Sequence, residues 1–182
     1  MKTTEEIFDL LKNEFGDSIL GIDKETPTEP IISVDPLQIH KVSQFLREHQ
    51  DLQFDSLMCL SGVDDANGNK TKNEDGDEII EGGTLSVYYH LHSVSLKHKI
   101  TLKVSVSRNE PKVESVENVW KSANWHEREA FDLLGIIFLN HPDLRRILMP
   151  YDWDEFTTEV SRHPLRKDYK NPEFYQGMKV PY

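Results

Sequence analysis

Ionisable side chains are densest at Trp125-His126-Glu127-Arg128-Glu129-Ala130-Phe131-Asp132. His126-Glu127 opens like the H-E-x-x-H motif of a zinc protease, but Ala130 stands where the second ligand belongs, so that site is excluded. Glu129 and Asp132 are three apart and share a helical face. A di-iron bundle needs two Glu-x-x-His helices, and one carboxylate-rich helix is present. A glycosidase pair would need a sugar cleft between its acids. A small hydrolase using Glu129, Asp132 and His126 therefore stays a remote alternative. Ion pairing fits the pattern better. Arg128 can pair with Asp132 along the helix, and Glu129 and Asp132 can accept from arginines of the downstream His141-Pro142-Asp143-Leu144-Arg145-Arg146.

Other chemistry is thin. The nine glycines form neither G-x-G-x-x-G nor a phosphate-binding P-loop, and no G-x-S-x-G elbow occurs. Cys59 is the one cysteine, which rules out an intrachain disulfide and a cluster ligated by this chain's cysteines; its apolar strand context reads as buried and structural. His90 and His92 share a strand face as metal ligands would, yet no third ligand lies near them in sequence, so they read as surface histidines. The 182 residues carry 21 basic against 32 acidic side chains, a net −11. That disfavours nucleic acid and direct contact with an anionic bilayer. No stretch reaches the ~18 apolar residues of a membrane span. Met1–Glu6 has no apolar or Arg-rich leader character, which points to a bacterial cytoplasmic setting.

The elements that position these residues can be read from periodicity. Thr3 and Glu6 make a capping box for a helix over Thr4–Phe15, stopped by Gly16. Ile19–Ile22, Ile31–Val34 and Phe54–Leu60 read as strands. Asp35-Pro36 reads as the cap and first position of a helix carrying Ile39, Val42 and Leu46. Residues Asp64–Glu81 hold seven acids against two lysines and read as a solvated loop without calcium-loop spacing. Leu85–Leu91 and Ile100–Val106 alternate with period two, a hairpin turning through His92–Lys97. Ser115 reads as the cap of a helix with Val116, Val119 and Trp120. A further helix starts at Asn124, with Glu127 in the capping-box position, and ends at Gly135. Beyond Phe138 periodicity stops, and five of the nine prolines fall from Pro142 onward.

The run Glu127-Arg128-Glu129-Ala130-Phe131-Asp132-Leu133-Leu134-Gly135-Ile136-Ile137-Phe138, followed by His141-Pro142-Asp143-Leu144-Arg145-Arg146-Ile147-Leu148, resembles the signature of one family of respiratory complex I, the proton-pumping NADH:quinone oxidoreductase. That family is its C subunit, also called the 30 kDa subunit. His163-Pro164-Leu165-Arg166-Lys167-Asp168-Tyr169 resembles the family's second motif. Asn140 and Arg162 stand where the family usually has Gly; Asn tolerates a left-handed turn almost as well.

The resemblance implies a non-catalytic structural subunit of the hydrophilic arm. It would bind no catalytic group, cofactor or metal itself; FMN, iron–sulfur clusters, NADH and quinone belong to other subunits. It implies packing chiefly on the large D subunit, and also near the B and I subunits, peripherally on the cytoplasmic side of the bacterial inner membrane. The corresponding subunit of a membrane-bound hydrogenase or a ferredoxin-dependent complex would look the same here. The expected architecture is α+β. Residues 1–138 form a mixed, largely antiparallel sheet with flanking helices, and residues 139–182 an extended tail ordered mainly by a partner. Glu127, Arg128, Glu129, Asp132, Gly135, His141, Pro142, Arg145, Arg146, His163, Pro164, Leu165, Arg166 and Lys167 are the expected signature and interface residues.

Overall fold

Twelve residues with apolar Ile7 and Leu11 on one face form α1 (Thr4–Phe15), started by the Thr3–Glu6 capping box and ended at Gly16 with φ +53°. The computed structural model describes residues 2–27, 29–73 and 76–180. After α1 come β1 (Ile19–Asp23), β2 (Ile31–Val34), α2 (Ile39–Glu48) and β3 (Ser56–Asp64). Then follow β4 (Asn69–Lys72), β5 (Glu78–Glu81), β6 (Thr84–Ser93), β7 (His98–Ser107) and β8 (Lys112–Glu114). The chain continues through α3 (Ala123–Leu134), β9 (Ile137–Leu139), β10 (Phe174–Tyr175) and β11 (Met178–Lys179).

The main sheet has the order β1-β2-β7-β6-β3 and is antiparallel except for the β2–β7 pair. This is the mixed, largely antiparallel α+β architecture expected. In β6 and β7, Leu85 faces Val106, Val87 faces Val104, Tyr89 faces Leu102 and Leu91 faces Ile100. All eight are buried and join Ile7, Leu11, Val42 and Leu46 of the two N-terminal helices in one core. Each such side chain contributes roughly 1.5–3 kcal/mol on burial, so this face supplies a large share of the folding drive. A Cβ on Gly62 of β3 would lie 2.6 Å from Leu134 Cδ1 and 3.2 Å from Ala130 Cβ. That glycine lets α3 sit directly on β3, and so fixes where Asp132 stands.

Several local expectations are corrected. Pro36 lies in a turn before α2 rather than inside it; Gln38 N–H donates to Asp35 O and the helix begins at Ile39. The acidic stretch after β3 holds the β4–β5 hairpin, with Asp64 and Ile80 buried, rather than a solvated loop throughout; Glu74 and Asp75 lie outside the described residues. Ser115 caps no long helix. Lys112–Glu114 pair in parallel with Ile137–Leu139, and Ser115 N–H donates to Leu139 O, leaving a single turn over Val116–Trp120. Cys59 is half-buried, its thiol 3.3 Å from Ser61 Oγ. His90 Nδ1 lies 3.0 Å from Thr101 Oγ1 and 3.8 Å from Glu29, a local polar contact.

The described part of 139–182, expected as an extended tail ordered mainly by a partner, makes many contacts of its own. It has little regular structure, but it runs back over its own domain. Trp153 is buried, with its indole N–H donating to Ser161 O at 3.2 Å. Tyr175 of the small β10–β11 hairpin lies 5.4 Å from the Trp153 ring and donates to Asp152 at 2.7 Å. The boundary near Phe138 separates periodic from aperiodic chain while contacts cross it throughout.

Candidate functional site

Asp132, on the last turn of α3 with its side chain fully buried, organises the first motif. Its Oδ2 accepts the N–H groups of Ile147 (2.9 Å), Leu148 (2.7 Å) and Met149 (3.0 Å). Arg146 Nη1 donates to Oδ1 at 2.7 Å and to the Asp132 carbonyl at 2.9 Å, while its Nη2 donates to Asp154 at 2.5 Å. Burial alone would raise the Asp132 carboxyl. The N–H groups of Met149 and Leu148, the Arg146 guanidinium and the Ile147 N–H outweigh it and hold the group below the usual carboxylate range. Three consecutive aperiodic residues thus find their backbone acceptor on one carboxylate.

Gly135 closes α3 with φ +77° and joins the two motifs. A Cβ there would stand 2.6 Å from His163 Nε2 and 2.9 Å from Arg166 Nη2. Around it, Leu165 N–H donates to Leu133 O at 3.0 Å, Arg166 Nε to Leu134 O at 2.8 Å, and His163 Nδ1 lies 3.2 Å from Asp132 O. The second motif therefore satisfies the carbonyls that the helix end leaves open. Burial lowers the His163 imidazole to about 4 against the contact with Asp132 O, with Arg166, Arg146 and Arg162 adding to the depression. It is neutral at pH 7, donating from Nδ1. Gly135→Ala should cost ~1–3 kcal/mol from the left-handed backbone and the displaced His163 and Arg166. Chemical denaturation measures this, and retention of full stability would show that the close approach is not made.

Lys167 and Asp168 tie the second motif to the sheet through residues that sequence reasoning missed. Arg108, at the end of β7, is buried; it donates to Asp64 Oδ2 at 2.5 Å and also binds Asp168. Lys167 N–H donates to Asp64 Oδ2 at 2.9 Å, and Ile80 N–H of β5 donates to Asp168 Oδ2 at 3.0 Å. Burial would raise Asp64; Arg108 and the N–H groups of Lys167 and Ala66 bring it below its ordinary value. The partners are 44, 60 and 103 residues apart, and no local pattern signals them.

Glu127 does not serve as the N3 residue of a capping box. Its buried carboxylate reaches back to the preceding turn, accepting from Ser115 Oγ at 2.6 Å and Val116 N–H at 2.8 Å. Burial pushes it up to about 7 despite those two bonds, with Glu117 adding to the rise. Arg128 bonds Asp143 at 2.8 Å rather than Asp132, and its guanidinium lies 5.3 Å from the centre of the exposed Trp125 ring. Arg145 joins the same Asp143 oxygen at 3.0 Å. Glu129 is exposed and receives none of the downstream arginines among the described residues. Pro142 and Lys167 are exposed at the surface, and Pro164 is half-buried. Asn140 takes φ +63°, the left-handed conformation its type allows.

The motif residues thus divide in two. Asp132, Gly135, Arg146, His163 and Arg166 hold chain to chain. Arg145, Leu148 and Leu165 face outward, as does Tyr151 between the motifs, with Tyr151 95% exposed and Leu148 and Leu165 above half. A cleft of about 460 Å³ opens beside Gly135, floored by Arg108, His163 and Asp168. With Asp132 already bound by four donors, with Glu129 in solvent, and with His126 joined to neither among the described residues, the three do not form a general acid–base set. No group of three metal-ligating side chains occurs among the described residues, and no helix there is long and apolar enough to cross a membrane.

Fold and site together define an α+β domain whose most charged motifs fasten an aperiodic segment to its surface. The family model described as "Respiratory-chain NADH dehydrogenase, 30 Kd subunit" matches residues 32–175, and the chain belongs to that family. The NADH-quinone oxidoreductase C subunit of Chloroherpeton thalassium is 41% identical over 98% of this chain, which spans 65% of that protein, just under two thirds. The C subunit of Chlorobium phaeobacteroides is 41% identical over 96% of this chain and 93% of its own length. The NADH-quinone oxidoreductase C/D subunit of Serratia proteamaculans is 36% identical over 87% of this chain and 24% of its length. Among solved structures, the trypsin-resistant fragment (1-134) of Nqo5 shares the fold with a TM-score of 0.56 at 22% identity, covering 76% of this chain and 98% of the fragment.

Proposed function

We propose that this chain is the non-catalytic C subunit of a bacterial NADH-quinone oxidoreductase. It supports electron transfer from NADH to quinone, and the coupled proton translocation, by holding the hydrophilic arm together. The observation that carries this reading is the Asp132–Gly135 junction. It commits Asp132, Arg146, His163 and Arg166 to positioning residues 140–170, and it leaves Arg145, Leu148, Tyr151 and Leu165 facing solvent. An exposed Tyr and Arg beside aliphatic side chains is the composition of an interface core. The D subunit is the first partner, since one relative carries the C/D name on a single chain, with the B and I subunits as further neighbours. The chain holds no flavin, cluster or quinone; those sit on other subunits. It lies peripherally on the cytoplasmic side of the inner membrane.

The test is capture of the purified D subunit by this chain. Arg145→Ala and Tyr151→Ala should each weaken capture about tenfold, as truncated anchors do. Both positions are exposed, so stability of the isolated chain should move by less than ~0.5 kcal/mol. Undiminished capture by the double variant would place the interface elsewhere.

A further inference from the structure

One buried cluster is not needed to fasten the two motifs together. Glu127 on α3 and His141 on the loop after β9 both have side chains closed to solvent, with Glu127 Oε2 and His141 Nε2 4.0 Å apart. Tyr89 of β6 is also fully buried, and its hydroxyl finds no hydrogen-bond partner among the described residues. Burial, with the Glu127 charge adding, raises the Tyr89 hydroxyl, so titratable groups from three separate elements are linked through Glu127 in the buried interior. Of the other charged or titratable groups around it, Glu117 is paired with Lys121 at 2.8 Å, Arg128 bonds Asp143 at 2.8 Å through one Nη while its buried Nε finds no partner among the described residues, and His40 of α2 places Nδ1 2.9 Å from the Ser115 carbonyl.

Hydrogen bonds fix how the histidine is used. Asp143 N–H donates to His141 Nδ1 at 3.1 Å, and Nε2 lies 3.2 Å from Asn124 O. The ring is thus assigned as neutral with its proton on Nε2, donating to a carbonyl and not neutralising Glu127. Giving the ring a second proton, on Nδ1, would evict the Asp143 N–H. An ionised Glu127 consequently has no cation to pair with unless the His141-Pro142-Asp143 loop gives up its seating. A buried carboxylate without a cation is costly, whereas a protonated one is tolerated.

We propose that Glu127 and His141 form a proton-gated latch: with a proton on Glu127 the His141-Pro142-Asp143 loop is seated on α3, and loss of that proton to solvent releases it. The consequence is regulatory. This loop leads into Arg145 and the outward-facing segment, so the presentation of that surface depends on pH. The proposal does not require the reading of partner or pathway, because the latch lies wholly within this chain.

Linkage sets the pH range. Glu127 in the folded chain titrates near 7, above its ordinary 4.5. Its stabilisation is fully present below about 4.5 and is lost as pH rises to about 7. Amide hydrogen exchange of the full chain, corrected for intrinsic rates, reads the latch at Asp143 and Val116. In the native protein, protection at both amides should fall about tenfold per pH unit from pH 5 to 7 and level off above. In Glu127→Gln, which keeps an acceptor for Val116 but cannot ionise, protection should stay flat. A flat profile in the native chain, or an equal slope in Glu127→Gln, overturns the proposal. Should Glu127→Gln not fold, the carbon-13 carboxyl shift of Glu127 in the native chain decides: a midpoint near 7 with matching movement of the His141 ring supports it, and a midpoint near 4.5 rejects it.

Discussion

Asp132→Ala should destabilise the chain by about 3–5 kcal/mol in urea denaturation, because it strips a buried partner from Arg146 and orphans three backbone donors. Asp132→Asn should cost less, since its one oxygen still accepts some of the N–H groups of 147–149. The pH dependence has a definite direction. A carboxyl held below its ordinary 3.8 adds stability above that value, which is lost as pH falls through the folded value. Native protein should therefore show more acid lability than Asp132→Asn, which keeps the share that Asp64 contributes through its own lowered carboxyl. The change should be local as well as global, with amides of Ile147, Leu148 and Met149 exchanging first. A loss below ~1 kcal/mol for Asp132→Ala would mean that the Asp132 contacts do not hold the segment.

Arg108→Met should have an effect of similar size, about 3–5 kcal/mol, by leaving Asp64 and Asp168 without their buried cation. Arg108 is enclosed by β7, the β4–β5 hairpin and the second motif, so its removal should loosen all three. Ile80 N–H loses a well-placed acceptor when Asp168 shifts, and its exchange protection should drop with that of Lys167. Replacing Asp64 by Leu in the same chain should restore part of the loss, since two of the three ionic groups are then apolar. Additive losses in the double variant would show that the two side chains do not interact.

Much of the fold is legible where the physics is local. The capping box at Thr3–Glu6, the stop at Gly16 and the alternation of β6 and β7 depend on neighbours within a few residues, and each stands as read. Ser115 shows why nearby reading fails. Its Oγ accepts the Glu117 N–H at 3.2 Å as a cap would, but its own N–H is drawn to Leu139 O beside the β8–β9 pair, and the turn that follows stops at Trp120. Glu127 is misread for a related reason: the helix begins at Ala123, so Glu127 lies beyond the capping position and reaches back to Ser115. The site is legible in part. The need for Asp132 to meet a downstream arginine follows from composition, and Arg146 supplies it. The Asp64–Arg108–Asp168 triad spans more than a hundred residues, and no spacing in the chain announces it. Proline recurrence conveys that the segment after Phe138 is aperiodic, but not that its own domain carries acceptors for its backbone.

In the proposed role these motifs organise assembly and leave the chemistry to other subunits. Membranes carrying Arg145→Ala or Arg166→Ala in this chain separate the two roles, by native-gel quantification of the assembled complex alongside NADH-driven quinone reduction in the same preparation. A scaffold should give less assembled complex and proportionally less activity, with turnover per assembled complex unchanged. Full assembly with turnover per complex lost would overturn the scaffold role, and would place these arginines in the quinone chemistry itself.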